Sequence, residues 1–290
     1  MRDYTEHFLE LVRRTATDLP DDVEAAIKAA KETEEPNTVA YQVLDAILQN
    51  VAIARANATP ICQDTGTPIF YVDFPQGWSL RELRRQIEAA LVEATKRAYL
   101  RPNAVHPVTG KNTGNNLGDE YFPTIHFHEV DGDTLRVRLM LKGGGSENVS
   151  AQYKLPDTRL KAGRDLEGVR KVVLDAVYQA QGKGCAPGFL GVGIGGDRGA
   201  SFYAAKEALF RRLDEPNPDP ALDELERRIT EEANQLGIGP MGLGGKTTVM
   251  ATRIKVIHRL PASYFVSIAY MCWAYRRREM LIRGDEVVIR

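Results

Sequence analysis

The sequence predicts an α+β protein, a helical N-terminal region followed by a mixed β-sheet with packed helices. Three observations predict it. Between residues 5 and 58 apolar side chains recur at helical steps, with Val39, Val43, Leu44, Ile47 and Val51 on one face. From 123 to 142 apolar and polar residues alternate in two runs about Asp131-Gly132-Asp133, the pattern of a hairpin with one buried face. Beyond residue 160, helical patterns and short apolar runs follow one another between glycine and proline clusters.

Taken in order, Pro20 and Pro36 punctuate the helical region. Ser79 and Glu82 form a possible capping box, opening a helix along Leu83, Ile87, Leu91 and Ala94 that closes near Arg101-Pro102. After the hairpin the patterns predict a helix at about 164–180, an apolar strand at 188–194, helices at about 199–213 and 219–236, and β-rich runs at about 247–257 and 263–271. The proline-rich stretch 214–220 reads as a turn bracketed by helices rather than a boundary, so residues 1–290 are read as one domain.

Hydrophobic residues at 43% and charged residues at 27% are too balanced for a disordered chain. Thirty-eight basic against thirty-nine acidic residues leave no global field to recruit nucleic acid or an anionic membrane, so a partner must be recognised locally. Apolar runs fall short of the roughly 20 residues a membrane helix needs. The N-terminus has no apolar core behind a basic start, and a cytoplasmic protein is expected.

Cys62, Cys185 and Cys272 are an odd number with no export signal, which argues against a disulfide framework, and they lie too far apart in sequence for a local zinc knuckle. Composition alone makes them buried, inert thiols. The run Cys62-Gln63-Asp64-Thr65-Gly66 concentrates a thiol, an amide and a carboxylate in one turn, and Gly184-Cys185-Ala186-Pro187-Gly188 is a second thiol-bearing turn. Lys142-Gly143-Gly144-Gly145-Ser146-Glu147-Asn148 follows a strand and is either an anion-holding nest of amides or a flexible turn. Gly191 to Gly196 has dinucleotide-loop spacing, a weak match that a turn where a helix packs closely on a strand explains better. The stretch 239–247 fails as a phosphate loop because Pro240 stands where the first glycine belongs, though its amides and Lys246 could hold a carboxylate. His126 and His128 share a strand face that is either metal-binding or solvated, and Arg276-Arg277-Arg278 either holds carboxylates or is a solvated basic run.

Ile61 to Gly66, Lys111-Asn112-Thr113-Gly114, Lys142 to Asn148, Gly184 to Gly188, Asn234 to Lys246 and Cys272-Trp273 together resemble, in one collinear order, class I fumarate hydratases and the related tartrate dehydratase α subunits. The resemblance implies that Cys62, Cys185 and Cys272 hold a 4Fe-4S cluster. It implies that Gln63, Asp64, Arg101 and Gly145 contact substrate, with Asp64 catalytic. Three thiolates would leave one iron open as a Lewis acid for moving water, whereas electron-transfer clusters are capped by four ligands.

The implied activity is reversible hydration of a four-carbon dicarboxylate, fumarate to L-malate in the tricarboxylic acid cycle, with tartrate dehydratase or mesaconate hydratase as alternatives. A nucleotide-dependent oxidoreductase and a non-catalytic cluster-binding partner are the readings from other classes. The family places a substrate-contacting histidine where Leu260 stands here, with His258 two residues away. Single-chain members carry a further C-terminal domain, so the chain resembles an α subunit or N-terminal domain that a β subunit or C-terminal domain completes, the α/β unit forming a homo-oligomer.

Overall fold

A computed structural model describes residues 2–290. Along the chain run α1 (Thr5–Thr17), α2 (Asp21–Thr33), α3 (Val39–Asn57), β1 (Thr67–Pro75), α4 (Leu80–Lys96), β2 (Thr124–Val130), β3 (Thr134–Lys142), α5 (Gly144–Asn148), β4 (Ala151–Lys154), α6 (Leu166–Ala180), β5 (Gly188–Ile194), α7 (Arg198–Ala208), α8 (Pro220–Asn234), β6 (Val249–Val256), β7 (Phe265–Met271), β8 (Arg276–Arg283) and β9 (Glu286–Ile289). This is the expected α+β class, with helices first and strands after. Among the described residues, no helix is long and apolar enough to cross a membrane.

The chain divides into two compact units. The first takes residues up to Pro20, Gln49–Gly144 and Ala274–Arg290; the second takes Asp21–Leu48 and Gly145–Trp273. The proline-rich stretch 214–220 lies inside the second.

In the first unit a five-stranded sheet has the order β2-β1-β3-β8-β9. Phe70 and Val72 of β1, Val137 and Leu139 of β3 and Met280 of β8 pack against α1 and α4. Ser79 caps α4, its hydroxyl accepting the Glu82 N–H at 3.3 Å, and Leu83, Ile87, Leu91 and Ala94 are all buried as their spacing predicts. The reciprocal half of the capping box is not made, because the Glu82 carboxylate takes Arg85 and Gln86 instead.

The expected hairpin is overturned. The segments 124–130 and 134–142 are strands, but β1 lies between them, parallel to β2 and antiparallel to β3. Residues 131–133 step across the end of β1, a gap of about 10 Å at ordinary strand spacing. The physical reason is burial. β1 is buried along nearly its whole length and takes a central place, while β2 is half-exposed and suits an edge. The basic run is corrected too: Arg276 and Arg277 are buried in β8, not solvated, and the chain end adds β8 and β9 to the sheet.

The second unit holds a four-stranded sheet in the order β4-β7-β5-β6, with β5 and β6 parallel and the other pairs antiparallel. β5 is covered on both faces. Leu190, Val192 and Ile194 pack with α6 and α8. On the other face a methyl group at Gly191 would lie 2.1 Å from the Ala205 carbonyl oxygen, and at Gly193 2.0 Å from that of Ser201, both in α7. The alternating glycines therefore serve close helix-on-strand packing.

Glu226 of α8 is a buried carboxylate that ties this unit together. It accepts the Ile254 N–H at 2.6 Å and the Asn217 amide at 2.7 Å, and pairs with Arg211 and Arg253. The stretch 239–247 also holds a carboxylate, an internal one: Glu34 accepts the Lys246 and Thr247 amides at 2.7 and 3.0 Å.

Two stability outcomes follow. Gly193→Ala should lower the free energy of unfolding by about 1–3 kcal/mol, the usual cost of overpacking, and a wild-type urea midpoint would contradict the α7 contact. Glu226→Ala should cost about 3–5 kcal/mol, because it strands buried guanidinium charge. The same urea titration reads it.

Candidate active site

In the first unit the turn carrying Cys62, Gln63 and Asp64 rests on the end of β3. Gly66 has φ +81°, and a side chain there would begin 2.8 Å from the Lys142 carbonyl carbon, so only glycine fits. Asp64 Oδ1 accepts the Gly66 N–H at 3.0 Å, closing an Asx turn, and Oδ2 accepts the Gly144 N–H at 2.7 Å. Beneath the turn the fully buried Arg276 donates Nη1 to the Asp64 carbonyl at 2.8 Å. A carboxylate has about four lone-pair sites, so Asp64 keeps acceptor capacity beyond these two amides.

Gln63 is exposed, and its carbonyl accepts Arg101 Nη1 at 3.1 Å. Buried Thr65 accepts the Arg101 N–H at 3.1 Å and the Asn103 amide at 2.9 Å. Asn116, also buried, accepts the Asn103 N–H at 2.8 Å and donates to the Arg101 carbonyl at 2.7 Å and to Thr95 at 2.9 Å. The structure thus brings Gln63, Asp64 and Arg101 together around Thr65.

Asn116 and Arg276 hold the loop and the turn; the sequence does not single out Asn116, and it reads Arg276 only as part of the run 276–278, not as a support for the Asp64 carbonyl. Asn116 follows two residues after the quoted Lys111 to Gly114 motif, and Arg276 four residues after Cys272. Their place beside motifs was the available signal.

In the second unit, Cys185 is exposed with φ +58°, and Cys272 is buried just past the end of β7. Exposure of Cys185 overturns the composition-based expectation of buried thiols, which holds for Cys272 and in part for half-buried Cys62. The Trp273 N–H donates to the Cys185 carbonyl at 3.3 Å, which ties the two cysteine segments. Burial, then the charges of Cys272 and Cys185, push the Tyr270 hydroxyl above the ordinary phenol range. Gly145 opens this unit within α5, and no residue from 143 to 145 has positive φ. The glycine run is therefore a strand end entering a helical turn, with the Gly144 amide already given to Asp64.

None of the three cysteines is in a disulfide. Cys62 belongs to the first unit, and Cys185 and Cys272 to the second. Among the described residues, no group of three or more His, Cys, Asp or Glu side chains is arranged to hold a metal ion. That includes His126 and His128: His126 packs on the Tyr71 ring with centroids 4.8 Å apart, and His128 Nδ1 lies 3.7 Å from Asp73. Leu260 is 73% exposed, whereas His258 lines a cleft of about 460 Å³ with Gly195, Arg259 and Tyr264.

Comparison with known proteins gives this geometry its family. A Geobacillus stearothermophilus protein named for class I fumarate hydratase is 49% identical over 280 residues, 96% of this chain. The chain spans 54% of that relative's length. The L(+)-tartrate dehydratase subunit alpha of Escherichia coli K12 is 31% identical over 283 residues, 97% of this chain and 91% of the relative. A Methanocaldococcus jannaschii protein named for the same subunit is 36% identical over 96% of both chains. A family model described as fumarate hydratase (Fumerase) matches residues 5–281, and the chain belongs to that family.

Proposed function

We propose that this chain is the cluster-bearing half of an iron-sulfur hydro-lyase that hydrates fumarate to L-malate and runs the reverse dehydration. Cys62, Cys185 and Cys272 are the proposed ligands of a 4Fe-4S cluster, and a β subunit or C-terminal domain completes the site. The observation that carries the reading is the donor set. In a chain matching the family across residues 5–281, the three cysteines are thiols outside any disulfide, and two sit on segments joined by a backbone hydrogen bond. Thiolates are the ligands iron-sulfur clusters take, so the residues fit the group. When bound through three thiolates, such a cluster supplies an open iron as a Lewis acid toward a hydroxyl or water.

The chain's own residues supply the rest. Asp64, held by the Gly66 and Gly144 amides, orients a hydrogen bond from the hydroxyl or water that moves, and its position is set before substrate arrives. Arg101 has one guanidinium nitrogen on the Gln63 carbonyl and further donors for a substrate carboxylate, with the exposed Gln63 beside it. Such donors stabilise the dianionic aci-carboxylate that forms as the proton beside the carboxylate leaves. Gly145 contributes a backbone contact without a side chain.

Fumarate is favoured by the 49% identity to the Geobacillus relative. L-tartrate is the second reading, supported by the tartrate dehydratase alpha subunits that the chain matches over nearly their full length. The enzyme is proposed to act in the cytoplasm within the tricarboxylic acid cycle, as a homo-oligomer of the completed unit.

Anaerobic reconstitution should give about four irons and four sulfides per chain. Serine at Cys62, Cys185 or Cys272 should lower that content, and unchanged content in all three would defeat the ligand assignment. In the completed enzyme, Asp64→Asn should keep the cluster yet lower turnover about a hundredfold or more, followed by absorbance of the product double bond. A turn-capping role alone would cost about 1 kcal/mol of stability and leave turnover per loaded site near normal.

A further inference from the structure

We infer that Tyr270 is a positioning residue for the proposed cluster: its ring is the wedge around which the Cys185 turn folds and beside which β7 delivers Cys272. The inference rests on the cluster reading and assigns a residue which that reading leaves unused.

Both ends of the Cys185 turn lie against this one ring. A methyl at Gly184 would fall 2.6 Å from Tyr270 Cε1, and one at Gly188 2.4 Å from Cζ and 2.5 Å from the hydroxyl oxygen. Gly184 is closed in from another side by Val149, whose Cγ2 would lie 2.7 Å from the same methyl. The turn can therefore approach the ring only as bare backbone at both ends.

The strand fixes the other thiol. β5 pairs with β7 so that Phe189 faces Met271 and Leu190 faces Tyr270, which sets Cys272 one residue past the paired end, at the end of β5 where the Cys185 turn joins it. Ser150 Oγ accepts the Tyr270 N–H at 3.1 Å and holds the strand there. Cys185 has left-handed backbone, sparsely populated for a residue with a side chain, and it persists only where its surroundings over-determine it. The ring, the Trp273 N–H on the Cys185 carbonyl and the Cys185 N–H on the Gly182 carbonyl at 3.1 Å supply that constraint.

A residue that only fills the core would change stability and leave metal retention alone. A wedge that spaces two ligands changes retention as well, since losing the support behind metal ligands commonly costs 10- to 100-fold in affinity.

The test uses the full chain, loaded anaerobically with ferrous iron and sulfide, in wild type, Tyr270→Phe, Tyr270→Leu and Gly184→Ala. Iron and sulfide content, visible absorbance, the rate of iron loss to excess chelator and the urea midpoint of the unloaded chain are measured on each. Tyr270→Phe keeps the ring and should release iron within about twofold of wild type, while Tyr270→Leu and Gly184→Ala should release it about tenfold faster or more. Wild-type release from folded Tyr270→Leu overturns the wedge, as does loss in Tyr270→Phe equal to that in Tyr270→Leu. Where Tyr270→Leu does not fold, Gly184→Ala decides, and wild-type release from it overturns the inference. A wild-type chain that takes up no cluster overturns the cluster reading and the wedge together; a loaded wild type with unchanged variants overturns the wedge alone.

Discussion

The contact between Gly66 and the end of β3 is the one on which the arrangement around Asp64 depends. Backbone meets backbone there at a distance that leaves no room for a methyl group, and the turn needs positive φ at the same residue. Because the turn lies flat on the Lys142 backbone, Asp64 comes within reach of the Gly144 amide, and its carbonyl comes over Arg276. The second unit uses the same device. Gly191 and Gly193 let α7 settle on β5, and Gly184 and Gly188 let a turn close on the Tyr270 ring. Each glycine removes one side chain so that another element can be placed to a few tenths of an ångström.

Buried charge is the second constraint, and the chain meets it with hydrogen bonds. Glu226 is almost wholly removed from water, where an isolated carboxylate would be strongly disfavoured, but it is matched by a backbone amide, an asparagine amide and two arginines. Glu34 does the same with two loop amides. Arg276 is buried at the start of β8, where the Asp64 carbonyl accepts from it. Such groups stabilise a unit less by their attraction than by the cost of any packing that would leave them unmatched.

The groups proposed for chemistry stand at strand ends. Cys62 and Asp64 precede β1, Cys185 precedes β5 and Cys272 follows β7. Strand interiors are committed to the ladder and the core, whereas the turns beyond them can present side chains while the sheet holds their positions. The loop from Arg101 to Asn116 closes on itself through a short antiparallel bridge between Val105 and Asn112, and its two ends are held by the buried polar side chains of Thr65 and Asn116.

Much of this was legible in the sequence where the cause is local. Helical spacing located α3 and α4, the apolar run at 188–194 matched β5 in extent, and the ordered motifs pointed to the family and to three thiols. Periodicity reports which face of an element is buried, because burial repeats with the element's own geometry. It does not report the partner. That β1 lies between the two strands expected to form a hairpin, that Arg276 and Arg277 are core, and that the glycines at 191 and 193 pack against a helix were decided by the tertiary structure. Each depends on residues far apart in the chain meeting at one place, as Asp64 meets Gly144 and Arg276, and the energy of such a meeting is a property of the pair that neither local pattern contains.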